Sequence, residues 1–148
     1  MTSAVKSSTL KFAAIGIDHR HIFGMAQNLI AEGAEFVGFY TEGTPEPLEG
    51  FIKRFPIVPR ATSAETFLND PSIDIILLAG VPCDRAGWAI KSMIAGKDVL
   101  SDKPGCTTLE QLNDVRACLA QTDRIWSINF SERFQVPSAT RAADLVAE

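Results

Sequence analysis

The sequence predicts one α/β domain built on a doubly wound parallel sheet. Short apolar runs typical of buried strands alternate with segments whose apolar residues recur every three or four positions, as on one face of a helix. At least four such alternations occur, which favours right-handed βαβ crossovers and an open parallel sheet. The chain has 148 residues, of which 46% are hydrophobic, so a single domain with a sizeable core is expected.

The predicted elements follow from these runs and from the signals at their ends. Gly33 ends a one-faced helix, and capping-box spacing at Thr62 with Glu65 and at Thr107 with Glu110 predicts two helix starts. The predicted strands are residues 11–17, 35–40, 57–59, 73–80, 97–101 and 125–130. The predicted helices are residues 22–30, 48–55, 64–68, 86–94, 112–119 and 137–148.

Three segments are expected along the chain. Residues 1–9 are rich in serine and threonine and predict a flexible tail, and residues 10–134 form the domain itself. Residues 135–148 predict the start of a helix that links to a further domain. Since this last helical pattern has no stop signal, we expect the chain to be part of a longer protein.

Composition narrows the classes of partner. A formal charge of −4 with 22% charged residues argues against nucleic acid and anionic membranes as partners. The three cysteines have no C-x-x-C spacing, so neither a disulfide framework nor a zinc ribbon is indicated. No stretch approaches the roughly 18 apolar residues of a membrane span. These features indicate a cytoplasmic protein and leave small neutral or cationic ligands, or a well-shielded phosphate group, open as ligands.

The loop after the first predicted strand, GIDHRH, lies where a dinucleotide-binding loop would lie. Only Gly16 is in register with the glycines of such a loop, and Asp18 falls near the second one. A carboxylate would repel a pyrophosphate, so Asp18 is expected to turn away. Attraction would then come from Arg20 or from the helix N-terminus.

The two histidines of the same loop, His19 and His21, allow two interpretations. They are two positions apart, which would put them on opposite sides of an extended segment, and no nearby cysteine or glutamate completes a familiar set of metal ligands. We therefore predict no metal site. Asp18 is expected to cap the helix, and a position facing the ligand cleft stays open for one of the two histidines.

Two later loops carry further candidates. Thr41 occupies the place after the second strand where dinucleotide proteins often hold a ribose with an acidic residue, and Glu42 follows it. Glu42 could hold the ribose, which would favour NAD over NADP, or it could be a solvated turn residue. In SDKPGC, Lys103 lies at the end of a buried strand, where partial desolvation would suit it to proton transfer. The alternative is a plain surface ion pair between Asp102 and Lys103.

The order of motifs resembles the N-terminal half of the Gfo/Idh/MocA oxidoreductase family. The motifs are IGIDHRHIFG, an apolar strand ending in AGVP, AGKDVLSDKPGCTTLEQL and NFSERF. The family's Glu-Lys-Pro loop is here Asp102-Lys103-Pro104, and the resemblance covers about residues 10–148. It implies a Rossmann-type domain that precedes a C-terminal α/β substrate domain, which this chain lacks. It also implies hydride transfer between NAD or NADP, with NAD slightly preferred, and a sugar, polyol or related hydroxy or keto compound.

The resemblance implies roles for individual residues. Lys103 would be the catalytic residue, hydrogen-bonding substrate and cofactor and helping to move the hydroxyl proton, and the Lys103–Pro104 bond would be cis. The residues predicted to bind the cofactor are Gly16, Asp18, His19, Arg20, His21, Ile22, Thr41, Glu42, Ala79, Gly80, Val81, Pro82, Asp102, Lys103 and Pro104.

Departures from the family pattern leave a second function open. Two loop glycines are missing, the acidic residue is shifted to Glu42, and Pro82 is followed by Cys83 and then Ala86 where the family has asparagine and histidine. A nucleotide-sensing or protein-interaction domain without catalysis would tolerate these changes, whereas the intact Lys103-Pro104 favours an enzyme. Exposed strand ends would also favour assembly into a homo-oligomer.

Overall fold

The computed structural model describes residues 9–131 and 136–147 of the chain. The predicted tail at residues 1–9 lies almost wholly outside the described residues, as do the boundary between residues 134 and 135 and the final residue of the last helix.

Five parallel strands form one sheet in the order β2-β1-β3-β4-β5. The strands are β1 (Lys11–Ile15), β2 (Glu35–Tyr40), β3 (Ile75–Leu78), β4 (Asp98–Asp102) and β5 (Trp126–Asn129). The order reverses between β1 and β3, because the chain moves outward to β2 and then returns across β1. Ligands of such sheets bind beyond the carboxyl ends of the strands at this switch point. The predicted doubly wound, Rossmann-type fold is confirmed.

Six helices are described, and the first five supply side chains to the cores on the two faces of the sheet. They are α1 (His21–Ala31), α2 (Leu48–Arg54), α3 (Glu65–Leu68), α4 (Pro82–Ile94), α5 (Leu109–Thr122) and α6 (Pro137–Ala147). Within the described residues, no helix combines the length and the apolar character needed to cross a bilayer.

Successive side chains of each strand pack into two separate hydrophobic cores, one on each face of the sheet. Ala13 and Ile15 of β1 face the core beneath α3, α4 and α5, whereas Phe12 and Ala14 face the core beneath α1 and α2. Burial of both faces explains why β1 and β3 read as continuous apolar runs. The second core is dominated by aromatic rings, with Phe51 packed 4.9–6.0 Å, centroid to centroid, from its phenylalanine neighbours.

The strand predicted at residues 57–59 is wrong. The segment makes only an isolated parallel bridge between Phe39 and Arg60, in which the Phe39 amide donates to the Pro59 carbonyl at 3.0 Å and the Ala61 amide donates to the Phe39 carbonyl at 2.8 Å. Pro56 and Pro59 have no N–H to donate, which prevents a longer ladder.

Both predicted capping boxes are wrong. Thr108, not Thr107, caps α5, its hydroxyl accepting from the Gln111 amide at 3.1 Å. The N-cap of α3 is Ala64, which makes no side-chain cap, and the Ser63 hydroxyl before it accepts from the Glu65 amide at 3.2 Å. Adjacent hydroxyl residues precede each helix, so the spacing rule alone does not select the residue that caps it.

Two glycines bring the ends of β1 and β3 into direct contact. Gly16 has a φ of +74°, and a Cβ at this position would lie 2.6 Å from the Gly80 Cα. The two backbones also exchange a hydrogen bond next to this contact, from the Ala79 amide to the Gly16 carbonyl at 3.2 Å. Only glycine satisfies both the left-handed conformation and the close approach.

We predict that Gly16→Ala lowers the free energy of unfolding by about 2–4 kcal/mol, the sum of left-handed strain and backbone overpacking. Gly24→Ala is the matched control, because Gly24 is exposed within α1 and a Cβ there would meet no atom within 4 Å. The control should gain up to about 1 kcal/mol from helix propensity. Urea denaturation followed by circular dichroism measures both changes, and equal stabilities of the two variants would contradict the contact.

Candidate functional site

A cleft of about 550 Å³ opens at the carboxyl ends of β1, β2 and β3. Its size lies within the range of sites for small ligands and cofactors. The loop after β1, the loop after β2 and the first turns of α4 form its walls. The lining residues predicted to bind the cofactor are Gly16, Asp18, Thr41, Glu42, Gly80 and Val81.

The Asp18 carboxylate lies inside this cleft, so the prediction that it turns away is wrong. Oδ2 is 3.7 Å from the Cβ position of Gly16 and 3.6 Å from that of Gly80. Partial burial raises the pKa of Asp18 above its ordinary value. Its own backbone amide and the Arg85 guanidinium lower that pKa, while Asp84 raises it further. Gly16 and Gly80 form the floor of the cleft, and the Asp18 carboxylate lies beside them.

Asp18 also does not cap α1. The N-cap of the helix is Arg20, without a side-chain hydrogen bond. The Arg20 side chain is itself mostly exposed and pairs with Glu46 in a separate shallow depression, with Nε donating to Oε2 at 3.1 Å. Within the described chain, Arg20 does not line the main cleft. Its positive charge is paired with Glu46 and is not available to a pyrophosphate in that cleft. Ile22 is fully buried in the core under α1, where its side chain is structural.

Both histidines contact one buried carboxylate, that of Asp102 at the end of β4. His21 Nδ1 hydrogen-bonds to Oδ1 at 2.8 Å, and His19 Nδ1 lies 2.8 Å from Oδ2. The Asp102 side chain is 0% exposed, and the Lys103 amide donates to Oδ1 at 2.8 Å. The prediction that the histidines lie on opposite sides is wrong, because the chain turns into α1 at Arg20 instead of remaining extended.

Arg85 of α4 ties the loops after β3 and β4 together. Its Nε donates to the Gly80 carbonyl at 2.9 Å. One terminal nitrogen donates to the carbonyls of Lys103 and Pro104 at 2.7 and 3.2 Å, and the other lies 3.5 Å from Asp102 Oδ2. Burial lowers the pKa of Arg85, and the Asp102 carboxylate opposes that shift. No sequence motif marks this residue, since its acceptors in the loop after β4 lie 18 and 19 residues away along the chain.

The loop after β4 presents Lys103 beside the buried carboxylate. The Lys103–Pro104 peptide bond is cis, as the resemblance implied. Lys103 is half-buried, and its main-chain amide and carbonyl are both held, by Asp102 and Arg85 respectively. Asp102 is fully buried beneath it and pairs with the histidines and Arg85, so the surface ion pair considered above is not what the structure shows.

The loop after β2 contains a buried hydroxyl group, that of Thr41, followed by an exposed carboxylate, that of Glu42. Thr41 is 3% exposed, and its Oγ1 has no hydrogen-bond partner among the described residues, whereas Glu42 is exposed at the edge of the cleft. Arg60 holds the loop from outside by donating to the carbonyls of Thr41 and Gly43 at 2.8 and 2.7 Å. An unsatisfied buried hydroxyl in a cleft is a place where a polar ligand group can bind.

The remaining predicted residues frame the same edge of the sheet. Ala79 is fully buried at the end of β3, and its carbonyl accepts from the His19 amide at 2.9 Å. Val81 is the N-cap of α4 and Pro82 is its first residue, a position that suits proline because its missing N–H would be unpaired there.

Comparison with known proteins identifies the family. Residues 10–130 match the oxidoreductase family Gfo/Idh/MocA, described by its NAD-binding Rossmann fold. The chain belongs to this family. The resemblance stated from the motifs is thereby confirmed, and the domain is the NAD-binding domain of an oxidoreductase.

Solved structures agree with this assignment. A protein from Erwinia carotovora atroseptica, provisionally named an oxidoreductase, is 45% identical with a TM-score of 0.86, covering 94% of this chain and 41% of its own. An NAD-binding protein from Listeria innocua shares the fold at 20% identity and a TM-score of 0.73, over 86% of this chain and 37% of its own. The chain thus spans about two-fifths of these structures.

A shorter sequence match relates the chain to an enzyme of defined activity. The D-xylose dehydrogenase of Paenarthrobacter nicotinovorans is 39% identical over 51 residues, which are 34% of this chain and 13% of that enzyme.

We predict that Arg85→Met lowers the free energy of unfolding by about 3–5 kcal/mol, because it leaves the Asp102 carboxylate buried without its cation. Arg85→Lys should recover little, since one ammonium group cannot replace a planar guanidinium on several acceptors. Arg116→Met, on the exposed surface of α5, is the control and should change stability by less than about 0.5 kcal/mol. Thermal and urea unfolding measure the series, and a full recovery with lysine would contradict the bridging role.

Proposed function

We propose that the chain is the cofactor-binding part of an enzyme that oxidises or reduces a sugar, a polyol or a related hydroxy compound. The observation that carries this proposal is the position of Lys103. Arg85 links the loop that presents Lys103 to the Gly80 loop, which forms the floor of the cleft. Lys103 does not line the cleft itself, but this link would hold it next to the place where a nicotinamide cofactor binds in such sheets.

The residues of the cleft fit a dinucleotide in two places and oppose it in one. The Gly16–Gly80 contact leaves a floor without side chains, and the Thr41 hydroxyl is buried without a partner. Asp18 is the opposing feature. We therefore expect binding of the pyrophosphate that is weaker than in a loop with all its glycines.

Glu42 supports a preference for NAD over NADP. A carboxylate at the end of β2 can accept hydrogen bonds from ribose hydroxyls and repels a phosphate at the same place. Arg60 would otherwise attract that phosphate, but it already donates to two backbone carbonyls of this loop. Equal affinities for NAD and NADP in a calorimetric titration would contradict this assignment.

Lys103 would transfer the hydroxyl proton of the substrate. When bound, the nicotinamide supplies or accepts the hydride. The Lys103 side chain would hydrogen-bond the reacting oxygen, donating a proton to it from the ammonium form during reduction and accepting the hydroxyl proton as the neutral amine during oxidation. Because the backbone of Lys103 is anchored by Asp102 and Arg85, only the side-chain torsions need to be fixed by the substrate.

The substrate class rests on the resemblance and on the match to D-xylose dehydrogenase. A polyhydroxy compound also suits the polar groups around the cleft. The three cysteines are free, which supports a reducing, cytoplasmic location. The chain covers 41% of the Erwinia structure, and residues that correspond to the rest of that structure would also contribute to turnover. Assembly into a homo-oligomer belongs to the same proposal.

A nucleotide-sensing domain without catalysis is the second candidate, and Asp18 is the observation that favours it. A carboxylate on the floor of the cleft weakens cofactor binding, which a sensor of another ligand would tolerate. The two candidates differ in a simple measurement, since such a sensor would bind none of NAD, NADH, NADP and NADPH.

We predict that Asp18→Gly and Asp18→Asn each tighten NADH binding about fivefold to tenfold, since both remove a negative charge beside the pyrophosphate. Glu32→Gln removes a charge from the exposed end of α1 and serves as the control, with an unchanged dissociation constant. Calorimetric titration of the three variants and the parent chain measures the effect. Unchanged affinity in both Asp18 variants would show that the cofactor does not cross this floor.

We predict that Lys103→Met lowers turnover of a hydroxy substrate by about 10²–10⁴-fold, the usual contribution of a positioned acid or base. A spectrophotometric screen of sugars and polyols with NAD and NADP, on the full-length protein, identifies the substrate to be used. Lys53→Met, at the exposed end of α2, is the matched control and should keep the parent rate. Full activity of Lys103→Met would remove this residue from the mechanism.

A further inference from the structure

We propose that His19, His21 and Asp102 form a binding site for a divalent transition-metal ion such as Zn²⁺. The site is distinct from the dinucleotide floor, and the inference does not depend on the proposed cofactor. Each of the three residues offers one ligand atom, and these atoms lie within 4.8 Å of one another. Imidazole nitrogens with a carboxylate oxygen are a donor set that suits zinc and its neighbours in the first transition row.

The contact between His19 and Asp102 points to a shared cation more than to a hydrogen bond. Nδ1 of His19 lies 2.8 Å from Oδ2 of Asp102, yet this buried oxygen has no hydrogen-bond partner among the described residues. The nitrogen is near the oxygen, yet no hydrogen bond joins them. Two ligand atoms of one ion have this relation, because both carry lone pairs and neither donates a proton to the other.

The charge around Asp102 supports the same conclusion. The Arg85 guanidinium lies 3.5 Å from Oδ2 of Asp102, but its Nε and its other terminal nitrogen donate to backbone carbonyls instead. A cation held between the two rings and the carboxylate would satisfy this buried oxygen.

The local geometry allows an ion to enter with small movements. Ligands about 2.1 Å from a tetrahedral ion are roughly 3.4 Å apart, so each 2.8 Å contact must open by roughly 0.6 Å. The two imidazole side chains are 45% and 31% exposed, which leaves them free to make this adjustment. Asp102 is fixed by the Lys103 amide and by Arg85, as outer contacts commonly fix a metal-binding carboxylate.

Three protein ligands leave at least one position of a four-coordinate ion open. Since the rings are partly exposed, that position would be accessible to water or to an oxygen of a small molecule. The oxygen donors that bind such an open position include the hydroxyl and carbonyl groups of polyhydroxy compounds. The proposed ligand is therefore the metal ion itself, with an open position for an oxygen ligand.

The test uses the 148-residue chain, stripped of metal with a chelator and titrated with Zn²⁺ and Co²⁺ in the absence of nicotinamide. We expect one ion per chain by calorimetry and visible absorption bands of bound Co²⁺. His19→Gln and His21→Gln should each weaken binding at least about tenfold. Cys83→Ser removes the exposed thiol and is the control for adventitious binding, with unchanged affinity.

A second measurement covers the case in which a variant is poorly folded. The chain has two histidines, so the ¹⁵N imidazole spectrum of the unaltered protein contains the signals of these two rings. Both Nδ1 signals should shift on addition of one equivalent of Zn²⁺. No binding, binding unaffected by either histidine variant, binding abolished by Cys83→Ser, or unshifted Nδ1 signals would each overturn the proposal. Because nicotinamide is absent, none of these outcomes bears on the proposed cofactor.

Discussion

The arrangement of the site depends on one buried ion pair, that of Arg85 with Asp102. A carboxylate at 0% exposure is tolerable only with a cation and hydrogen-bond donors around it, and the structure supplies both. The same guanidinium satisfies backbone carbonyls that belong to two different strand ends. Therefore the spacing of the Gly80 loop from the Lys103 loop is set by a rigid planar group, and both histidines take their positions from the carboxylate that it balances.

The sheet and its larger helices could be predicted from the sequence because their signals are local. Strand β3 is apolar along its whole length since both of its faces are covered, and α4 repeats its apolar face until Gly96. The segment at residues 57–59 misled the prediction because its side chains resemble a strand while its prolines forbid a ladder.

The site was predictable only where a motif carried it. Lys103 and Gly16 were found from their positions after strands, but nothing local marks Arg85, whose acceptors lie 5, 18 and 19 residues away. The histidine pair was misjudged for a related reason. Its spacing was evaluated on an extended segment, whereas the turn into α1 directs both rings towards Asp102, more than 80 residues along the chain.

The loop that carries Lys103 is also held from the side of β5. A Cβ on Gly105 would overlap the side chains of Ile128 and Trp126, so the loop lies directly against this strand. Contact with β5 on one side and with the Arg85 guanidinium on the other leaves its backbone little freedom. A lysine in the proton-transfer role proposed for Lys103 would have to place one nitrogen to within about half an ångström, and its long side chain is intrinsically mobile. Because the backbone of this loop is fixed, substrate binding would have to order only the side chain of Lys103. This is a physical reason for the buried ion pair of Arg85 and Asp102 beneath the half-buried lysine.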